Sequence, residues 1–427
     1  MRSKITCDDE LLNNILDALK NQYAFDAFYY DLLGVNSLEF NGVPRPVKWL
    51  NHDKNKAKII KKVSFLSSFL WGGVFAYIYF SLRALSYVIK KIGLKKTHVS
   101  THEDVGIYVC DRSYDSICQA LKTNNKIYWL GLPNSSQSNS KEKILEGSCC
   151  LTILSKGEIL RALAITISVH YKLSKKVNKS LMFQSYVIFD LVLMLLAIQK
   201  IQPRNLIIAE HHDRWAILAD YYCNRQSKQT EKVNLTIVQH GREYADTYAA
   251  MKDRLGIDGL PRKIKTVAKL FVYDEEQLNI FMKNIIEPHT AEENMEVEFF
   301  KPSIALSDSD GDAIKVLFVG HPICEDIQIY LFEMLKSKSG MVVFYKPHPT
   351  AKISSRVKDA AWILIKDTNY FPRVNLIVSY PSTLVLEYEN AGVPAFIHQL
   401  NLNQTDFEIA SDKLNIMIKQ LNTSDTK

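Results

Sequence analysis

The chain has 427 residues, 23% of them charged and 47% hydrophobic, with a net charge of +7. That length suits two domains, each able to bury its own core, and the composition is that of an ordinary folded protein. Ten Lys and Arg lie between Lys54 and Lys96 with no Asp or Glu among them, more than the whole net charge, so the excess is confined to one segment. This excludes a nucleic-acid-binding surface spread over the fold.

Residues 1–50 read as amphipathic helices, with Leu11, Leu12, Ile15, Leu16 and Leu19 at helical spacing, followed by a loop at Asn41–Pro46. No cleavable signal peptide is visible in Met1–Lys20, so the folded part is expected to face the cytoplasm. Val63–Leu82 then gives twenty residues without a charge, rich in Phe, Leu, Trp and Tyr. That is just long enough to span a bilayer. Lys54, Lys56, Lys58, Lys61 and Lys62 precede it, however, and Arg83, Lys90, Lys91, Lys95 and Lys96 follow. A span would place one basic flank against the charge bias that sets orientation. The segment 54–96 is therefore expected as a helix or helical hairpin lying on an anionic cytoplasmic leaflet, with a bend at Gly72-Gly73.

Further on, Val105–Cys110 and Lys126–Leu130 read as strands and Asn134–Ser140 as a polar loop. Helical patterns cover Lys156–Leu173 and Leu181–Ile201. The second is apolar almost all round but contains Asp190, and is expected as a buried core helix. Asn205–Ala209, Val233–Val238 and Lys269–Val272 alternate with helical patterns, as in a parallel sheet. Residues 288–313 are polar and acidic and are expected as a linker. A second alternating series follows: Val316–Val319, Met341–Tyr345, Trp362–Ile365, Val374–Val378 and Ala395–Ile397. The expected fold class is α/β, with two Rossmann-like domains facing a cleft. The domains are 1–100 (helical, with the membrane-associating segment), 101–287, a linker at 288–313, and 314–427.

The chemistry gathers at strand ends, where open α/β sheets bind ligands. Lys346-Pro347-His348-Pro349 follows one strand and Ser379-Tyr380-Pro381-Ser382-Thr383 the next, with Glu387 in the helix that Ser382 and Thr383 open. Gly320-His321 follows the first strand of the series. Two strand ends about thirty residues apart belong to adjacent βαβ units. A cation, an imidazole, hydroxyls and a helix N-terminus together suit a phosphate. Each piece also has a plain structural explanation. Lys-Pro-His-Pro serves as a rigid strand exit, Ser382 as an N-cap, and Glu387 as a solvated helix residue.

The first half offers Glu210-His211-His212-Asp213-Arg214 and Gln239-His240-Gly241-Arg242-Glu243, again at strand ends. A carboxylate or imidazole in a partly dry site takes a proton from a hydroxyl, which makes Glu210, Asp213 and His240 the catalytic candidates. Asp213 is equally suited to cap the helix that follows it. His211 and His212 are consecutive and cannot share a helix face as metal ligands usually do, so no metal is expected. The seven cysteines show no CxxC pair and no metal-ligand spacing with histidine, and no cofactor is expected.

These motifs resemble those of GT-B glycosyltransferases that build bacterial capsule and lipopolysaccharide. Lys-Pro-His-Pro at 346–349 and Ser-Tyr-Pro-Ser-Thr at 379–383 are similar to the His-Pro and Ser/Thr motifs of bacterial sialyltransferases and Kdo transferases. The resemblance covers about residues 205–400. It implies a CMP-linked sugar donor, with Lys346, His348, Ser382 and Thr383 on its phosphate and Glu387 near the nucleotide. It also implies a lipid-linked or oligosaccharide acceptor at the cytoplasmic face of the inner membrane. The chain departs from the acidic-acidic-glycine motif of those sialyltransferases, having Glu210-His211-His212-Asp213 at the comparable place. Gln-His-Gly at 239–241 is similar to teichoic-acid polymerases that transfer glycerol phosphate from CDP-glycerol, which makes a CDP-polyol phosphotransferase the second reading. A nucleotide-sugar 2-epimerase would share the two-domain shape without needing the membrane segment, and a non-catalytic scaffold of a glycan assembly complex would keep the fold without the chemistry.

Overall fold

A computed structural model describes residues 5–50, 54–94, 103–122, 127–132, 147–177, 179–228, 232–255, 259–288, 295–308, 311, 313–338, 340–348 and 353–424. It divides into two compact units. Unit 1 comprises Met1–Asp31, Asn36–Pro44 and Ile59–Phe300, and unit 2 comprises Leu32–Val35, Arg45–Lys58 and Lys301–Lys427. The expected loop Asn134–Ser140, the start of the expected strand at Lys126, and Pro349 lie outside the described residues.

Unit 1 is built on one parallel sheet of β1 (Asp104–Tyr108), β2 (Tyr128–Gly131), β3 (Gly147–Cys149), β4 (Asn205–Ile208), β5 (Asn234–Val238), β6 (Val267–Val272) and β7 (Glu296–Phe299). Their order in the sheet is β3-β2-β1-β4-β5-β6-β7. The central strands are short apolar runs because helices cover both faces of a parallel sheet. Val105, Ile107, Leu206, Ile208, Leu235 and Ile237 are accordingly buried. The edge strand β7 lies inside the stretch expected as linker. Its alternation Glu296-Val297-Glu298-Phe299 is strand-like, and Lys269 on β6 pairs with both glutamates. Acidity alone masked that period of two. β3, only three residues long, has no periodic signal in the sequence.

The helix Ile188–Ile201 is the centre of the unit 1 core, with every residue from Leu191 to Ile198 buried. It begins later than the expected Leu181, because Phe183–Val187 form a 3-10 turn. The exception to its apolar character, Asp190, accepts from Arg83 Nη2 at 2.5 Å and from the Tyr87 hydroxyl at 3.1 Å. Leu11, Leu12, Ile15 and Leu19 of the helix Asp9–Leu32 are buried in the same core, as their spacing predicts.

Unit 2 carries a second parallel sheet of β8 (Ile314–Val319), β9 (Met341–Lys346), β10 (Ile363–Leu364), β11 (Leu376–Ser379) and β12 (Ala395–Ile397), in the order β10-β9-β8-β11-β12. In both sheets the strand order runs outward one way and then reverses, between β1 and β4 in unit 1 and between β8 and β11 in unit 2. Such a reversal opens a crevice at the carboxyl ends of the two central strands. Two doubly wound parallel α/β sheets are thus present, in the Rossmann order the alternation predicts.

Candidate functional sites at the strand ends

In unit 2, Gly320 extends the ladder beyond β8, its N–H donating to the Lys346 carbonyl at 2.8 Å. A side chain at this position has no room, since a Cβ would stand 2.0 Å from the Tyr345 hydroxyl. Tyr345 cannot yield, being buried and stacked on Trp362 with ring centroids 4.3 Å apart. His321 follows, and its Nδ1 accepts from the Ile323 N–H at 3.2 Å. The proton of the neutral ring is therefore on Nε2, its remaining donor. Burial, then neighbouring His348, pushes His321 down to about 3. It meets the edges of His348 and Tyr380 at 5.4 and 5.2 Å between centroids.

The β11 exit completes this cluster. Ser379 is buried, donates to the Tyr380 carbonyl at 2.7 Å, and lies 3.2 Å from the Ser382 hydroxyl. Ser382 occupies the N-cap position of the helix Thr383–Asn390, yet its side chain makes no capping hydrogen bond. Its hydroxyl is turned to Ser379, so the helix start keeps the amide-rich character that suits an anion. Thr383 is buried in the first turn, and Glu387 lies one turn further along, half-buried. Of the expected phosphate ligands, His321, His348, Ser379 and Ser382 are brought together around one crevice.

Lys346 is the exception, and the expectation that it meets a phosphate is corrected. Its Nζ donates to the backbone carbonyls of Asp367, Thr368 and Tyr370 at 3.1, 2.9 and 2.9 Å, and lies 4.4 Å from the centre of the Phe371 ring. All three ammonium donors are committed to the loop between β10 and β11. Burial lowers it to about 8.

Two residues of this cluster are missed by the motif reading. Gln328, fully buried, donates to the Val319 carbonyl at 2.7 Å and lies 3.3 Å from His398 Nε2. Its Oε1 is buried without a hydrogen-bond partner among the described residues. The His398 N–H donates to the Ser379 carbonyl at 2.9 Å, extending the ladder past β12. The available signal was positional, since His398 directly follows a strand, as His321 and His348 nearly do.

In unit 1 the crevice between β1 and β4 holds Glu210, which accepts from the Ser113 hydroxyl at 2.8 Å. Ser113 stands in the first turn of the helix Asp111–Leu121 that follows β1. Across the β5 exit, the His240 Nδ1 donates to the Ala209 carbonyl at 2.6 Å, which turns its Nε2 lone pair outward, 3.8 Å from Glu210 Oε2. Arg112 Nε donates to the His240 carbonyl at 3.0 Å and steadies that turn. Burial, followed by the charges of His211 and Arg112, pushes His240 down to about 3, so its ring is neutral.

Asp213, the other carboxylate candidate, is held as a helix cap. Its Oδ1 accepts from the N–H groups of Trp215 and Ala216 at 2.7 and 3.3 Å, capping the helix Arg214–Ser227. Both backbone donors would otherwise be left unsatisfied, which is the structural role the sequence also allowed for it.

Glu243 is the residue of this site that the motif reading quoted without giving it a role. Its carboxylate takes His211 Nε2 on one oxygen and the Tyr248 hydroxyl on the other, the latter at 2.7 Å. His212 Nδ1 stands 3.2 Å from it, although not aligned as a hydrogen bond, and the His212 ring stacks on Phe25 at 3.9 Å. Burial works against the charge of Glu243, but His212 and His211 hold its carboxyl well below the usual range. Burial likewise opposes the charge of His212, and Glu243 outweighs it and raises the imidazole. The Glu243 backbone is fixed by Gln277, which accepts from its N–H at 2.8 Å and donates to its carbonyl at 3.0 Å.

His211, His212 and Glu243 place three ligand-type atoms within 4.8 Å of one another. Adjacent histidines converge here because they sit on a strand exit and not on a helix, which corrects the geometric argument made from their spacing. Glu243 receives the His211 and Tyr248 donors on its two oxygens, and the His211 ring lies 5.1 Å from that of His240, so the cluster adjoins the His240 site. A cavity of about 290 Å³ lies elsewhere, lined by Asp104, Asn205 and Asn234 at the amino ends of β1, β4 and β5, away from these groups.

No family model and no curated protein matches this chain. Among solved structures it is similar to the spinosyn rhamnosyltransferase SpnG in complex with spinosyn aglycone, at 11% identity and a TM-score of 0.38, covering 74% of this chain and 92% of that one. It is similar to an alpha/beta-galactoside alpha-2,3-sialyltransferase from the luminous marine bacterium Photobacterium phosphoreum, at 11% identity and a TM-score of 0.33, covering 69% and 91%. A structure of the wall teichoic acid polymerase TagF is similar at 9% identity and a TM-score of 0.34, covering 79% and 87%.

Proposed function

We propose that this chain is a glycosyltransferase that moves a sugar from a nucleotide donor, CMP-linked, to a bacterial surface glycan acceptor. The observation that carries this reading is the convergence in unit 2 of His321, Ser379 and the side-chain-uncapped helix start at Ser382 at the β8/β11 reversal, with His348 from the adjacent β9 exit against His321. Imidazole N–H groups and first-turn amides bind phosphate oxygens and stabilise the charge that develops on a departing nucleotide. In unit 1, Glu210 and the Nε2 of His240 are the proton acceptors for the acceptor hydroxyl. Both are oriented, by Ser113 and the Ala209 carbonyl respectively. Transfer to His240 makes an imidazolium that burial and the charges of His211 and Arg112 oppose, so the Glu210 carboxylate 3.8 Å away is the group to which the proton passes on. The step calls on no metal, and the chain is read as metal-independent, working at the cytoplasmic face of the inner membrane.

Incubation with a panel of nucleotide sugars and detection of the released nucleotide tests the reading. CMP release that is abolished in a folded His348→Ala variant is the expected result. UDP release would reassign the donor, and consumption of CDP-glycerol would favour the polyol phosphotransferase. Absence of any release or binding would sink the enzyme reading in favour of a scaffold.

A further inference from the structure

The helical segment Ile59–Gly93 of unit 1 has two faces of opposite character. After a kink at Gly73, whose φ of −111° and ψ of −120° leave the helical region, the arm Ala76–Gly93 buries Ala76, Phe80, Ala84 and Tyr87. These fall at intervals of four, four and three, one stripe of a helix. Its opposite stripe, Ile78, Leu82, Leu85, Ile89 and Ile92, is exposed, from 49% for Ile78 to 68% for Ile92. On the arm before the kink, Val63, Leu66 and Phe69 are exposed as well. A contiguous apolar surface this long is rare on a protein that meets only water.

We propose that this face seats unit 1 on the surface of an anionic bilayer, with the segment lying among the headgroups and not crossing the membrane. Charge selects the occupant. Lys62 and Lys90 are exposed beside the stripe, and the whole run from Lys54 to Lys96 contains no acid. A second copy of the same face would bring like charges together, whereas anionic headgroups neutralise them. The internal attachments exclude a span. Arg83 is committed to Asp190 of the core helix, Lys91 Nζ donates to the Thr152 carbonyl at 2.7 Å, and Trp71 Nε1 donates to Ser185 Oγ at 2.9 Å. A crossing helix would have to leave all three and expose the stripe from Phe80 to Tyr87. Arg83, counted in the sequence with the basic flank, thus belongs to the interior. The inference deepens the membrane part of the proposed function, and its test involves no turnover, so the two can fail separately.

The experiment is cosedimentation of the full chain with vesicles of phosphatidylcholine, with and without about a third of phosphatidylglycerol. Binding is expected to the anionic vesicles, weakened by salt and reversed by an alkaline carbonate wash. Leu82→Glu with Leu85→Glu, both at exposed positions, should lower vesicle binding by about tenfold or more without changing the melting temperature. Lys62→Gln with Lys90→Gln should reduce the preference for anionic vesicles. Equal binding to neutral vesicles, retention after the carbonate wash, failure to bind either vesicle, or a vesicle-free dimer dissolved by the same Leu variants would each overturn the proposal.

Discussion

The Nε2 of His240 lies 3.8 Å from Glu210 Oε2, with the other ring nitrogen bound to the Ala209 carbonyl. Two acceptors held apart at that distance leave a place for one shared proton. Removing the imidazole in His240→Ala is expected to lower turnover by about a hundredfold or more with little change in donor affinity. Glu210→Gln should cost less than that and should still accept from Ser113. A kinetic comparison of kcat and KM for both variants decides it, and an undiminished kcat in His240→Ala would remove His240 from the chemistry.

Lys346 is a loop clamp, and its loss should be read as stability. Lys346→Met leaves the carbonyls of Asp367, Thr368 and Tyr370 without their donor and is expected to destabilise unit 2 by about 2 to 3 kcal/mol. Chemical denaturation measures it. A variant of unchanged stability that binds nucleotide poorly would restore the phosphate role that the motif suggests.

Stability should fall in acid through buried histidines. His170 is lowered to about 4, and His240 and His321 to about 3, in each case by burial first. The unfolded chain takes up these protons at about 6.5, so their contribution is fully present above that pH and is lost as pH falls toward the folded values. Melting temperature measured between pH 7.5 and 4.5 should decline on the acid side, and His321→Asn should flatten part of the slope. A flat profile in the native protein would contradict the burial of these rings.

Glycine at 320 is a packing requirement. Gly320→Ala drives a Cβ into the Tyr345 hydroxyl, and a cost of about 1 to 3 kcal/mol is expected, read by the melting of unit 2. Tyr345→Phe should give no relief, since the ring Cζ and Cε1 would still stand 2.3 and 2.7 Å from the new Cβ, whereas the smaller Tyr345→Leu should recover part of the loss.

Much of this arrangement is legible from periodicity. The parallel strands, the buried helix around Leu191–Ile198 and the bend at Gly72-Gly73 follow from apolar spacing and from glycine's place in it. What escapes is whatever depends on which of two partners a side chain chooses. Asp213 caps a helix when it was equally suited to take a proton, and Lys346 turns to three carbonyls that lie some twenty residues further along the chain. Glu243 stands in a strand-end motif without a legible role and Gln328 in no motif at all, because their roles arise from groups that only the folded sheets bring near them. Composition also conceals β7, whose acids find Lys269 only across the sheet.

The kinked helix at Ile59–Gly93 is fastened to unit 1 by Arg83–Asp190 deep in the core and by Trp71 and Lys91 on either side of it. A protein held to a bilayer by a loose tether tumbles above it and samples every tilt. One held through a face that is itself a wall of its core has a single posture. Unit 1 would then work at a constant height, like a tool in a fixed stand, and would select acceptors by how far they project from the lipid as well as by their chemistry.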